Sequence, residues 1–240
     1  MNDLELKRET ARQTRRSLLT GGIAALAGAG AWQWLRTRRP DDEVPWPLRI
    51  GLRVDEQLAR DYFRPSRPAR TFPLSAVQPG KPNGDLGMED DPPSDWKLHF
   101  EDLTLTLDDI KALPKTEIVT ELKCIEGWSR VQHWAGVRFR DFVARYARRA
   151  PKPDSYVGLE TPDGEYYVGL DMPSAMHPQT LLCYEHAGKP LGDLHGAPLR
   201  LVVPVKYGIK NLKRIGRISF SNTRPPDFWA ERGYDWYAGF

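Results

Sequence analysis

The sequence lacks the features that mark several classes of protein. It contains only two cysteines, Cys124 and Cys183, and no CxxC pair, so neither a disulfide framework nor a zinc knuckle is indicated. Its 35 basic and 32 acidic residues are mixed along the chain, without the concentrated basic face that nucleic acids require. No two of the five histidines have a metal-chelating spacing. These absences argue against a nucleic-acid partner and leave a single special thiol as a possibility.

Three segments differ in composition. Residues 1–40 carry the pair Arg15-Arg16 before the apolar run 18–35, a pattern typical of a twin-arginine export signal and hence of a periplasmic protein. The run is also about the length that spans a bilayer, so retention as an N-terminal anchor is the alternative. Residues 41–95 are crowded with proline and charge and predict an extended arm with little regular structure. Residues 96–240 predict one folded domain.

Local signals predict several elements of that domain. Thr106 followed by Asp109 resembles a helix N-cap that opens a short helix before Pro114. Residues 117–123 are predicted to form a strand that leads directly to Cys124, and residues 139–149 have the apolar spacing of a helix.

Two further strand pairs are predicted. Residues 156–161 and 165–170 flank an Asp-Gly turn and predict a β-hairpin. Residues 199–203 and 217–221 are expected to form a second pair, joined by the basic loop 206–213. Many short strands with few helices favour an α+β or β-rich, sandwich-like body.

Two features could carry chemistry. Cys124 lies where a strand gives way to a glycine-containing turn, so its thiolate could be a nucleophile or a soft-metal ligand, although a small buried core residue is the ordinary alternative. The basic residues near Gly208 suit a phosphate, although a solvated surface loop is equally compatible with them. These basic residues are Arg200, Lys206, Lys210, Lys213 and Arg214.

Four motifs in order resemble those of the sulfite-oxidase-type molybdopterin-dependent oxidoreductase family, and within it the branch of the periplasmic protein-methionine-sulfoxide reductases. They are ELKCIEGWS at 121–129, AMHP at 175–178, GAPLRLVVP at 196–204 and KYGIK at 206–210. The resemblance implies the mixed, β-rich α+β fold of that family in a single domain. It also implies an enzyme with a molybdenum-molybdopterin cofactor that transfers an oxygen atom and two electrons at a small or protein-bound oxo substrate such as a sulfoxide.

The same resemblance assigns roles to individual residues. Cys124 would be the protein's ligand to molybdenum and the catalytic residue. The pterin and its phosphate would be held by a larger set: Asn83, Thr161, His195, Arg200, Gly208, Ile209 and Lys210. A membrane cytochrome b is the expected redox partner.

Departures from the family pattern leave alternatives open. The reductase branch usually has asparagine where this chain has His195, and a histidine there is reminiscent of sulfite oxidases, so a sulfite dehydrogenase is the rival enzyme. The tight hairpin at Asp163-Gly164 replaces a long insertion of the reductase branch. The rival from another class is an exported binding protein without catalysis.

Overall fold

The computed structural model describes residues 3–41, 43–64, 66–88 and 95–240. The chain divides into two compact units, Met1–Gly51 and Leu52–Phe240. The first unit contains the long helix α1 (Asp3–Arg36), which includes the twin-arginine pair, and the short antiparallel strands β1 (Pro40–Asp41) and β2 (Val44–Pro45). Among the described residues, no helix combines the length and the apolar character that are needed to cross a bilayer.

Helix α2 (Trp46–Tyr62) contradicts the expectation that residues 41–95 have little regular structure. Its second residue is Pro47, a position where the missing N–H costs nothing because the first helical turn leaves its N–H groups unpaired. Pro47 is therefore compatible with the first turn of α2, although the density of proline in this segment had favoured an extended arm.

The second unit contains the remaining strands and helices. The helices are α3 (Leu107–Lys111), α4 (Phe139–Tyr146) and α5 (Met172–Ala175). The strands are β3 (Leu98–Phe100), β4 (Leu103–Leu105), β5 (Lys115–Lys123), β6 (Ser129–Arg138), β7 (Tyr156–Glu160), β8 (Tyr167–Asp171), β9 (Leu181–His186), β10 (Lys189–Pro190), β11 (Arg200–Val202) and β12 (Arg217–Ser221).

These strands form two five-stranded sheets. One has the order β10-β9-β6-β5, with β11 also paired to β9, and the other has the order β4-β3-β12-β7-β8. All pairings are antiparallel except that of β12 with β3. The predicted pairing of residues 199–203 with 217–221 is wrong, because β11 pairs with β9 in the first sheet and β12 lies in the second.

Both sheets contribute to one hydrophobic core, so the fold is a mixed, β-rich α+β domain as predicted. Leu182 and Leu201 of the first sheet belong to the same buried cluster as Phe100 and Ile218 of the second, and α4 adds Phe142 to it. The predicted strand before Cys124, the helix from Phe139 and the Asp-Gly hairpin are all present.

The N-cap of α3 is the capping box that the sequence indicated. The Thr106 side chain accepts from the backbone N–H of Asp109, and an Asp109 carboxylate oxygen accepts from the backbone N–H of Thr106 at 2.8 Å. This reciprocal pairing satisfies two donors that a helix start leaves free.

Candidate active site

A cleft of about 160 Å³, partly open to solvent, is lined by Cys124 and is here called the Cys124 cavity. Four of the predicted site residues line it, and they come from three separate parts of the chain: Asn83, Cys124, Gly208 and Ile209. Its other lining residues are Gly84, Asp85, Leu86, Ile125, Glu126, Tyr166, Asn211, Lys213, Trp229 and Tyr234.

A tight turn after β5 holds Cys124 in place. The backbone N–H of Cys124 donates to the carbonyl of Trp128 at 2.9 Å, and its carbonyl accepts from the N–H of Gly127 at 3.2 Å. Gly127 has φ +84°, a left-handed conformation that glycine adopts without steric cost. The glycine that follows Cys124 therefore allows the chain to reverse into β6 and fixes the thiol at the end of the strand.

Cys124 is only 8% exposed. Burial raises its pKa, and the nearby Glu126 carboxylate acts in the same direction, while backbone hydrogen bonds from Glu126 and Ile125 oppose the rise. The apoprotein thus carries a protonated thiol at neutral pH, and a metal that binds sulfur displaces this proton.

Asn83 and Gly208 lie beside the thiol. The Asn83 side-chain nitrogen donates to the Gly208 carbonyl at 3.4 Å, whereas its buried Oδ1 has no hydrogen-bond partner among the described residues. A Cβ on Gly208 would lie 3.6 Å from the Cα of Cys124 and 3.4 Å from the carbonyl oxygen of Lys123. The absence of a side chain at Gly208 keeps this corner of the Cys124 cavity open, and Asn83 offers an unused acceptor there.

The other four predicted residues do not line the Cys124 cavity: Thr161, His195, Arg200 and Lys210. The Thr161 hydroxyl donates to Asp163 at 2.5 Å and accepts from the N–H of Tyr166 at 3.1 Å, so it is engaged in the hairpin turn. The His195 ring lies 4.4 Å from the His186 ring, measured between centroids.

Arg200 is buried behind the cavity. Its guanidinium donates to the carbonyls of His195 (2.9 Å) and Asn211 (3.1 Å) and lies 4.6 Å from the centroid of the Trp134 ring. Burial lowers its pKa to about 10. Its Nε has no partner among the described residues, which leaves one donor for a ligand.

Lys213 and Arg200 form a cationic group beside two histidines. Burial and the charge of Arg200 lower the pKa of Lys213 to about 8. Burial and the neighbouring His195, Arg200 and His133 lower the pKa of His186 to about 4, so this ring is neutral at neutral pH. An added anion would stabilise the charged forms of Arg200 and Lys213, so the group fits the phosphate that the sequence predicted for this region.

The Lys210 side chain points away from this cationic group. Its ammonium contacts Asp227 Oδ2 at 2.5 Å and the Gly169 carbonyl at 3.0 Å, and both side chains of the ion pair are 2% exposed or less. Asp227 also accepts from the N–H groups of Gly169 (3.0 Å) and Ala230 (3.1 Å). Lys210 therefore fixes the segment that follows Asp227, a contact that its predicted role did not include.

Sequence reasoning missed three aromatic residues of the cavity wall. Tyr166 donates its hydroxyl to the Ile209 carbonyl at 2.6 Å, and burial raises its pKa far above the ordinary range. Trp229 and Tyr234 face each other edge-on, with ring centroids 5.1 Å apart. The only sequence signal for the last two is the density of aromatic residues after Asp227.

The fold and the cavity define a domain with a buried thiol at a strand end, on the wall of a cavity that Lys213 also lines. Comparison with known proteins assigns the chain to a family. The model of the oxidoreductase molybdopterin binding domain matches residues 86–229.

Relatives match over nearly the whole chain. A protein of Azospira oryzae described as a putative protein-methionine-sulfoxide reductase subunit, YedZ1, is 31% identical over 94% of this chain and 86% of its own length. The protein-methionine-sulfoxide reductase catalytic subunit MsrP of Ralstonia nicotianae is 31% identical over 93% of this chain and 74% of its own length. The solved structure of the sulfane dehydrogenase SoxCD from Paracoccus pantotrophus is 18% identical, with a TM-score of 0.49. The match covers 67% of this chain and 46% of the SoxCD chain.

The chain belongs to the oxidoreductase molybdopterin-binding family, and the predicted sulfite-oxidase-type relationship is confirmed. It is accordingly a molybdenum-dependent oxidoreductase with a molybdenum-molybdopterin cofactor. The roles of individual residues stay predictions.

Proposed function

We propose that this protein is an exported reductase that removes oxygen from sulfoxides, with molybdenum bound through the Sγ of Cys124. The observation that carries the proposal is the buried Cys124 on the wall of a cavity that three separate segments of the chain enclose. A thiolate is a soft ligand suited to this metal, and relatives over most of the chain are described as protein-methionine-sulfoxide reductase subunits.

The residues around Cys124 fit the cofactor. The unpaired Oδ1 of Asn83 can accept from a pterin N–H group, and the missing side chain of Gly208 admits a group close to the thiol. Arg200, with one unused donor, would hold the phosphate together with Lys213. When bound, the group supplies a metal that exchanges an oxygen atom and two electrons with the substrate. The chain fixes the sulfur ligand, anchors the phosphate and shapes the space for the substrate.

The charge of the Cys124 cavity favours a neutral sulfoxide over sulfite. Its described lining contains two carboxylates, Asp85 and Glu126, and one ammonium, that of Lys213, which donates to the Gly84 carbonyl at 2.7 Å. Much of the remaining wall is apolar or aromatic, and an anion would lose hydration there without gaining a matching charge. His195, the residue that suggested a sulfite dehydrogenase, lies against His186 and does not belong to the lining.

We also propose that the protein is exported by the twin-arginine route and receives electrons from a membrane cytochrome b. The pair Arg15-Arg16 in α1 supports the route. The names of the relatives support the partner, because a catalytic subunit works with at least one other subunit.

The experiment is to measure molybdenum and pterin content after expression in a host that makes the cofactor. Wild type, Cys124→Ser and Cys183→Ser should be compared, since Cys183 is a buried cysteine of β9 outside the cavity lining. We expect near-stoichiometric molybdenum in wild type and Cys183→Ser, and its loss in Cys124→Ser. Equal molybdenum in all three proteins would refute the ligand assignment.

Activity should then be assayed with artificial electron carriers. We expect reduction of protein-bound and free methionine sulfoxide, and little oxidation of sulfite. Sulfite oxidation without sulfoxide reduction would establish the rival dehydrogenase, and a folded protein without molybdenum would favour the non-catalytic binding protein.

A further inference from the structure

We propose that the rings of Trp229 and Tyr234, here called the aromatic mouth, bind the hydrocarbon groups attached to the sulfoxide sulfur of the substrate. This contact selects methionyl sulfoxides over smaller sulfoxides. This inference rests on the proposed function and adds to it the residues that determine specificity. Nothing in the resemblance to the family assigned a role to either residue.

The exposure of the lining residues gives the Cys124 cavity a direction. Cys124 is 8% exposed, whereas Tyr234 is 41% exposed and Trp229 is intermediate. The cavity thus runs from the buried Cys124 to a rim that these two rings share with the exposed Gly84, Asp85 and Glu126. A substrate whose oxygen atom reaches the buried end extends its remaining atoms through this rim, where Trp229 and Tyr234 offer the aromatic surface.

The two rings are held in place by the backbone between them and by a buried ion pair before them. The N–H of Tyr234 donates to the carbonyl of Trp229 at 2.9 Å, and Gly233 turns the chain with φ +93°. Asp227, which pairs with Lys210, accepts from the N–H of Ala230 and so fixes the start of the same turn. The mouth is therefore a preformed element, and its rings need little ordering when a ligand binds.

The chemistry of a sulfoxide matches this arrangement. Its S–O bond is strongly polar, while the groups on either side of sulfur are hydrocarbon. Sulfur and adjacent methyl groups pack favourably against aromatic rings, and a methionyl side chain brings two methylene carbons, Cβ and Cγ, on one side of the sulfur. Dimethyl sulfoxide has one carbon on each side and covers less of the two rings. The mouth should therefore favour the methionyl substrate.

The test uses the molybdenum-loaded enzyme and two probes. The first is the KM for the sulfoxide of N-acetylmethionine amide, with dimethyl sulfoxide as the small comparison substrate. The second is calorimetric binding of the corresponding sulfone, which measures recognition without turnover. The variants are Trp229→Leu, Tyr234→Leu and the conservative Trp229→Phe, and Trp46→Leu replaces a partly exposed tryptophan of α2 outside the cavity lining.

We expect Trp229→Leu and Tyr234→Leu to raise the KM and the Kd of the methionyl probes roughly 3- to 10-fold, as the loss of one sulfur–aromatic contact predicts. The kcat, the molybdenum content and the KM for dimethyl sulfoxide should change little. Trp229→Phe should recover most of the affinity, and Trp46→Leu should behave as wild type.

Each outcome separates the two proposals. Unchanged affinity in both leucine variants, with an active wild type, overturns the aromatic mouth and leaves the sulfoxide reductase intact. A wild type that neither reduces the sulfoxide nor binds the sulfone overturns both. If Trp229→Leu does not fold, Tyr234→Leu and Trp229→Phe still decide the question.

Discussion

Removing the Asp227 carboxylate should destabilise the domain more than most single substitutions. Asp227→Ala leaves the Lys210 ammonium buried with the Gly169 carbonyl as its one hydrogen-bond acceptor among the described residues. It also removes the carboxylate that accepts from the N–H groups of Gly169 and Ala230. Breaking a buried ion pair by deleting one partner costs about 3–5 kcal/mol. Each backbone donor left without an acceptor adds about 1–3 kcal/mol. Because these costs overlap, we expect a loss of about 4 kcal/mol or more, a large part of the stability of a typical domain.

The assay is urea unfolding of the apoprotein, produced in a host that lacks the cofactor so that ligand binding does not contribute. Asp227→Asn keeps an acceptor oxygen and should lose less than Asp227→Ala. Adding Lys210→Met to Asp227→Ala removes the uncompensated charge and should restore about 1–3 kcal/mol. A loss below about 1 kcal/mol in Asp227→Ala, or a further loss on adding Lys210→Met, would refute the reasoning.

Three further predictions concern stability. Burial lowers the pKa of Lys206 to about 7 from an ordinary 10.5. Between these pH values the unfolded chain binds one more proton than the folded one, so the free energy of unfolding rises with pH by up to about 1.4 kcal/mol per pH unit. Unfolding curves of Lys206→Met from pH 7 to 9 should show a smaller rise than those of wild type. A Cβ on Gly136 would lie 2.0 Å from the Leu182 carbonyl oxygen, at the irregular pairing of β6 with β9. Gly136→Ala should therefore prevent soluble expression. The control Gly192→Ala, whose Cβ would meet nothing within 4 Å, should be expressed in soluble form. Thr106→Ala should lower the free energy of unfolding by about 1 kcal/mol, measured in urea, and Thr106→Ser should restore it; equal stability of the two variants would contradict the capping role.

Signals confined to a few neighbouring residues predicted structure correctly. Thr106 and Asp109 satisfy each other's backbone donors within one turn, and Asp163-Gly164 sets a turn that brings β7 onto β8. In both places the interaction that decides the conformation lies within the segment itself. The sequence therefore contains everything needed to predict it.

The pairing of β11 and β12 could not be predicted in this way. Each strand is recognisable, but β11 bonds to β9 and β12 lies between β3 and β7. Strand partners are chosen by the burial of whole faces across the domain, and proximity in sequence is a weak guide to that choice.

The site could be predicted only in part, because some of its residues come together only through the fold of the whole domain. The family resemblance identified Cys124, Asn83, Gly208 and Ile209, which line one cavity. It also named Lys210, but the partner Asp227 has no recognisable spacing from it. Trp229 and Tyr234 were missed because an aromatic residue has no motif of its own, and only the folded backbone brings these rings to the cavity that Cys124 lines.

The position of β12 dictates when the domain can mature. This strand, Arg217–Ser221, separates β3 from β7 and bonds to both. A nascent polypeptide that has emerged only as far as residue 210 has every motif of the family but no central strand in one of its two sheets. We therefore expect a pterin to bind only after residues 217–221 have been synthesised and have joined their sheet. A check that waits for the loaded state would then also report that this central strand is in place.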